Sequence, residues 1–370
     1  MHILEFVRTA FSLKSTLRSG WVLSDIPHPE TVAEHSFGVA ALCLLWPDIK
    51  GLNKDKMLKM AILHEICEVI TGDIVFENGI YVNNERNVEK VSKEHEAIET
   101  LFSKLDNETL KQLVLEFLEQ KSPESRFVKG VDKIEMLIQT MIYEKKAPPG
   151  VLDQFWLNSE KYLKERGMEE YYNCLLQARN NSEFKCKHNQ INVFKDILKL
   201  KNVQKSAWRL KDVRNPESIA SHSFGISLLS LVVPLPNNIN REKLVRMAIV
   251  HEIGKLLSGD SICETGRFIN QQKCKLKVES EICSLQQILP EPMYKKCGSL
   301  SAEYLQQKTI IAKYLKQLDR LEVVIQSLFY EKFCNSELCD EFWNNANMHI
   351  KDKTLRKYFE YLLNQRNRRS

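Results

Sequence analysis

Two stretches of this 370-residue chain, ETVAEHSFGVAALCLLW from Glu30 and ESIASHSFGISLLSLVV from Glu217, are one segment written twice. The same holds for MAILHEICEVITGDI from Met60 and MAIVHEIGKLLSGDS from Met247, and for VDKIEMLIQ from Val131 and LDRLEVVIQ from Leu318. His35 and His222, His64 and His251, Asp73 and Asp260, and Asp132 and Asp319 are separated by one constant spacing, close to half the chain. Trp21 and Trp208, Tyr143 and Tyr330, Trp156 and Trp343, and Arg179 and Arg366 keep that spacing, so the register runs from Trp21 through Arg179 with no net insertion. Solenoid repeats have periods of about 20–50 residues, so a period of half the chain marks a duplicated domain. The polar stretch Asn180 to Gln190 (NNSEFKCKHNQ) separates the copies. The expected organisation is a first domain at 1–180, a linker at 181–190 and a second domain at 191–370.

Only 13 Gly and 11 Pro interrupt the chain, and apolar residues recur at helical spacing. Ser122-Pro123-Glu124 supplies an N-cap, a first-turn proline and a first-turn acid, which predicts a long helix from there to about Tyr143. The pattern Met57, Met60, Ala61, Leu63, Ile66, Cys67, Ile70 predicts a helix over 54–70 that carries His64 and Glu68 on one face. The Asn78-Gly79 pair has no alternating strand on either side. The expected fold is all-α, two tandem bundles of about six to eight helices each, packed as a pseudo-two-fold pair within one monomeric chain. The longest apolar run, Gly38 to Trp46, is less than half of the roughly 20 residues that cross a bilayer, so no membrane span is expected. The N-terminal stretch has no secretory character. Ten cysteines without a CxxC pair read as reduced thiols of a cytoplasmic protein. A formal charge of +5, with its one basic cluster at Arg366, Arg368 and Arg369, gives no footprint for a nucleic-acid polymer.

Both copies present the same polar order at the same spacing: a His, then a His-Glu pair, then an Asp well beyond it. In the first copy these are His35, His64, Glu65 and Asp132. In the second they are His222, His251, Glu252 and Asp319, a possible degenerate counterpart. Two imidazoles with two carboxylates and no thiolate suit one divalent ion, with Mn, Co, Fe, Zn or Mg all admissible. HEICE is not the zincin helix HExxH, because Glu68 stands where the second His is required and Lys255 stands there in the second copy.

The run Arg18-Ser19-Gly20-Trp21, followed by PETVAEH, LHEICEVITGDI and SRFVKGVDKIEMLIQ, resembles the HD-domain 5′-deoxynucleotidases of the HD domain-containing protein 2 type. The likeness spans nearly all of the first copy and, more weakly, the second. It implies an α-helical HD bundle, often a homodimer, that hydrolyses deoxynucleoside 5′-monophosphates with one divalent metal ion. It also implies metal ligands at His35, His64, Glu65 and Asp132, catalytic carboxylates at Glu68 and Asp73, and phosphate and sugar contacts at Arg18 and Trp21. Two departures qualify the resemblance. The family's His-Asp is His-Glu in both copies, one methylene longer, so weaker metal binding or a different metal preference is expected. In the second copy Glu68 becomes Lys255, Arg18 becomes Lys205 and Glu34 becomes Ser221. The leading expectation is a nucleotide phosphohydrolase with an active first copy and a degenerate second. The alternatives are a non-catalytic nucleotide-sensing or binding protein, and a phosphodiesterase for another nucleotide.

Overall fold

The computed structural model of the chain describes residues 2–73, 84–103, 105–163, 168–181, 189–211, 213–260, 264–265, 268–269, 271–333 and 336–368. The first copy supplies α1 (His2–Ala10), α2 (Ser19–Leu23), α3 (Val32–Leu45), α4 (Lys54–Leu63), α5 (Glu68–Thr71), α6 (Asn84–Phe102), α7 (Glu108–Leu118), α8 (Pro123–Tyr143), α9 (Asp153–Leu163) and α10 (Met168–Asn180). The second supplies α11 (Asn189–Leu198), α12 (Ser206–Arg209), α13 (Ile219–Val232), α14 (Arg241–Val250), α15 (Lys255–Ser258), α16 (Gln271–Ile288), α17 (Glu291–Met293), α18 (Ser299–Gln306), α19 (Ile310–Tyr330), α20 (Asp340–His349) and α21 (Lys353–Asn367). The fold is all-α, two tandem helical bundles, with more and shorter helices than expected. A two-residue antiparallel ladder, Glu264–Thr265 on Phe268–Ile269, is the extended exception among the described residues. Asn78-Gly79 and linker residues 182–188 lie outside the described residues.

Local signals account for the helices that position the polar residues. Ser122 caps α8 by accepting from the Ser125 backbone, Ser125 returns the contact, and Pro123 takes the first turn. Thr31 and Glu34 form the equivalent capping box on α3. Ser221 in place of Glu34 keeps only the Ser218 half of that box on α13. Every residue of α3 from Val32 to Leu45 is buried, which explains why that stretch reads as a continuous apolar run rather than an amphipathic helix. α3 lies against both α4 and α8, so the His35, His64 and Asp132 regions come together.

Chain contacts divide the molecule into two compact units, Ser12–Leu198 and Met1–Phe11 together with Lys199–Ser370. These differ from the sequence boundaries of 1–180 and 191–370 by two helices. The first residues of α1 and α11, His2 and Asn189, keep the spacing of the duplication, so the two helices are the same element of the repeat, yet each belongs to the unit built on the other copy. In the Ser12–Leu198 unit, Phe194 of α11 stacks on Trp46 at 5.4 Å. In the other unit, Phe11 stacks on Phe329 at 6.5 Å and Arg8 donates to Gln365 at 2.7 Å.

Cys43, Cys67, Cys283, Cys297 and Cys339 are thiols. Cys174 and Cys274 are each half of a disulfide, so the expectation of reduced thiols does not extend to them. No described helix is long and apolar enough to cross a membrane.

Candidate metal centre

His35 and His64, Glu65 and Asp132 each bring one donor atom into a group whose members all lie within 4.8 Å of one another. α3 supplies His35, the turn just after α4 supplies His64 and Glu65, and α8 supplies Asp132. The Nδ1 atom of His35 lies 2.7 Å from Glu135 Oε2, and that of His64 lies 2.8 Å from the Ala61 carbonyl. Both partners accept, so each Nδ1 carries a hydrogen and each ring turns its Nε2 into the cluster, the atom that can hold a metal in the neutral form of the ring. The two Nε2 atoms face each other at 3.3 Å. Asp132 Oδ1 is 3.3 Å from His35 Nε2, and Glu65 Oε1 is 3.5 Å from His64 Nε2 and 4.0 Å from His35 Nε2. Opposite ligands of a small divalent ion stand about 4 Å apart, so two imidazole nitrogens and two carboxylates in this volume fit one. The added methylene of Glu65 is therefore accommodated, since its carboxylate reaches the group.

Electrostatics follows from this crowding. Burial and the Arg18 charge oppose protonation of His35, but Glu135 and Asp132 outweigh them and hold its pKa up at about 9. Burial pushes His64 down to about 4, with His35 adding to the effect. Asp132 is buried, yet Lys129 Nζ at 2.8 Å and Lys133 Nζ at 3.4 Å hold its carboxyl well below the usual range. Burial likewise works against ionised Glu65, but His64, Arg18 and Lys129 lower its pKa.

The apolar pattern across 54–70 predicts one helix, and the structure corrects this. α4 ends at Leu63, residues 64–67 form tight turns, and α5 begins afresh at Glu68. Glu68 thus reaches the site from a new helix start, with its amide bonded to the Glu65 carbonyl at 3.1 Å. Its Oε2 is buried and has no hydrogen-bond donor among the described residues. Burial, Glu65 and Asp73 raise its pKa well above the carboxylate range. Arg18 Nη1 lies 3.4 Å from Glu65 Oε1, and Asp73 is the strongest of the acids that raise the pKa of its guanidinium. Asp73 Oδ2 accepts from the Ser19 backbone at 2.5 Å and its carbonyl accepts from the Ser19 hydroxyl at 2.7 Å, tying α2 to the end of α5.

Trp21 sits differently. It is 1% exposed, stacked on Phe155 at 4.3 Å, edge-on to Tyr143 at 5.1 Å, and its indole N–H donates to Glu30 Oε1 at 2.9 Å. The indole presents almost no surface to a ligand, so it braces the Arg18 turn from the core.

Glu135 escaped the sequence reading, although the quoted segments place an acid in both copies, Glu135 and Glu322, three residues after the Asp. It depends on Gly38 for room: a Cβ there would collide with Glu135 Oε1 and lie 3.0 Å from its Cδ. Gly38→Ala should therefore displace Glu135 from His35 and weaken divalent-ion binding by roughly 10–100-fold, the usual effect of losing such an orienting carboxylate. Competitive titration against a metal-binding dye measures this.

In the second copy His222, His251 and Glu252 form a three-member group, and Asp319 does not close into it. His222 keeps its inner bond to Glu322 at 2.7 Å and lies 3.3 Å from Asp319 Oδ1. Trp208 repeats the bond of Trp21, donating to Glu217 Oε1 at 2.9 Å.

Residues 10–171 and 197–362 both match the HD domain family. A Xenopus laevis protein named 5′-deoxynucleotidase HDDC2 is 30% identical over 49% of this chain and 89% of its own length. The Schizosaccharomyces pombe 5′-deoxynucleotidase hdd1 is 34% identical over 40% of this chain and 74% of its own, and the Homo sapiens 5′-deoxynucleotidase HDDC2 is 33% identical over 42% and 74%. With the family matched across most of both copies, this chain belongs to the HD domain family and carries that domain twice.

Proposed function

We propose that the first copy is a divalent-metal-dependent phosphohydrolase acting on nucleoside 5′-monophosphates, deoxynucleotides foremost, and that His35, His64, Glu65 and Asp132 hold its single ion. The observation that carries this is the four-donor cluster with two functional groups at its edge, the buried Glu68 carboxyl and the Arg18 guanidinium. The names of the relatives supply the substrate class. Held by these four residues, a divalent ion would supply Lewis acidity, making a water more acidic and shielding the phosphate oxygens. Arg18 presents a rigid fork to the phosphate, exchanging its contact with Glu65 for the substrate. Glu68 accepts the proton of the attacking water as the new P–O bond forms and the ester P–O bond breaks. Asp73, beside Arg18, contacts the sugar 3′-hydroxyl or returns a proton to the leaving 5′-oxygen.

The test is phosphate release from a panel of ribo- and deoxynucleoside monophosphates by chain reconstituted with Mn, Co, Fe, Zn or Mg. Glu68→Gln should keep the ion and lose roughly 10²–10⁴-fold in turnover, the range for removing a general base. Absence of release across the panel, with metal bound, would refute the assignment and favour a binding protein.

A further inference from the structure

We propose that the second copy has exchanged its divalent ion for a cation of its own chain: the Lys255 ammonium stands where an ion would otherwise balance the buried carboxylates. This holds whether or not the first copy is an enzyme. At corresponding positions, Arg18, Glu65, Asp73, Lys129, Asp132, Lys133 and Glu135 are matched in charge by Lys205, Glu252, Asp260, Lys316, Asp319, Arg320 and Glu322. Glu68 changes to Lys255, a formal difference of two positive charges, that of one divalent ion, while Glu34, which becomes Ser221, is taken up by the Thr31 backbone at the start of α3.

The contacts show where that charge goes. Lys255 is 5% exposed and pairs directly with Glu252 Oε2, and its Nζ lies 2.7 Å from Asp260 Oδ1. Asp260 also accepts from the Ser206 backbone at 2.7 Å, and Lys205 Nζ stands 3.7 Å from Glu252 Oε2. Asp319 keeps His222 at 3.3 Å, as Asp132 keeps His35, but gains a further donor. Its Oδ2 accepts from the Tyr304 hydroxyl at 2.9 Å and from Lys316 at 2.7 Å, and Tyr304 occupies the place of Phe117, which has no hydroxyl to offer. His251 Nε2 is 3.9 Å from Glu252 Oε1, against 3.5 Å for the first copy's pair, and the two imidazole rings are 5.7 Å apart against 5.2 Å. Glu252, Asp260 and Asp319 are each held by a lysine of this unit, two of them by Lys255, whose charge repels an incoming ion. Gly254 makes room for the arrangement: a Cβ there would lie 2.7 Å from the Glu281 carbonyl oxygen, so α16 packs directly over the turn that carries Lys255.

The test uses the full chain, stripped with chelator and dialysed against Co²⁺, with elemental analysis as the readout. Asp132→Ala alone should bind no tight equivalent, and Asp132→Ala with Lys255→Glu should bind one, because the second exchange restores a carboxylate and removes the blocking ammonium. A tight equivalent on Asp132→Ala that persists when His35→Ala is added overturns the proposal, as does none on the folded double variant. Wild-type chain binding no ion while the double variant binds one refutes the metal assignment of the first copy and leaves this one standing. Should the double variant fail to fold, Lys255→Gln decides. Left without the ammonium, Glu252 and Asp260 should lower the melting temperature in chelator by roughly 6 °C or more, partly restored by Co²⁺. An unchanged melt overturns the proposal.

Discussion

Asp132→Ala is expected to remove the divalent ion from the first copy and to lower phosphate release by roughly 10³-fold or more, with the fold retained. The magnitude follows from what the ion supplies, several kcal/mol of charge stabilisation at about 1.4 kcal/mol per decade of rate. Asp132 is the member of the cluster that links it to α8, and His35 Nε2 keeps only His64 and Glu65 as cluster neighbours without it. The fold should survive because Lys129 and Lys133, which the carboxylate now balances, have partly exposed side chains that can turn to water. Circular dichroism and elemental analysis on the same sample separate the two effects. A variant that keeps one equivalent of metal would show that three ligands suffice. A variant without metal but with full turnover would refute a metal-dependent reaction. Glu68→Gln is the counterpart, losing turnover while keeping the ion, so the pair distinguishes holding the metal from using it.

What the sequence made legible was whatever depends on neighbours in the chain. The start of α8 is set by Ser122, Pro123 and Ser125, all within one turn, and it lies where those residues predict. His35, His64, Glu65 and Asp132 stood out because the duplication repeats them as a set, and they do converge. The break between α4 and α5 was invisible because Leu63, Ile66, Cys67 and Ile70 continue the helical period across it, with no Gly or Pro in the first copy to announce the turns. Gly254 at the equivalent of Cys67 was the available hint. The burial of Trp21 was equally hidden, since an indole beside an arginine can wall a pocket or fill a core, and only the positions of Phe155, Tyr143 and Glu30 decide. The exchange of α1 and α11 between units could not be read at all. Equivalent amphipathic helices of a duplicated domain carry the same apolar face, and nothing local says which copy that face will meet.

That exchange yields the second large effect. A fragment of residues 1–180, the first copy as the repeat defines it, should not form a stable monomer, whereas residues 12–198 should. The shorter cut removes α11, whose Ile191, Phe194, Ile197 and Leu198 are fully buried in the Ser12–Leu198 unit and whose Val193 is nearly so. Each such side chain contributes about 1.5–3 kcal/mol on burial, so their joint loss, roughly 7–15 kcal/mol, equals the whole stability of an ordinary domain. It would also bare Trp46 and open the space where Leu198 lies against Gly38, one turn from His35. The same fragment keeps α1, whose buried Leu4, Phe6, Val7 and Ala10, with Phe11 just after it, would be left without the unit they pack into. Two copies of residues 1–180 could then satisfy each other by placing each α1 where α11 belongs, so a dimer or an aggregate is the expected product. Light scattering and thermal melts of the two fragments, with metal titration of each, make the comparison. A monomeric, cooperatively melting, metal-binding 1–180 would show that α11 is dispensable and that the bundle closes with its own first helix.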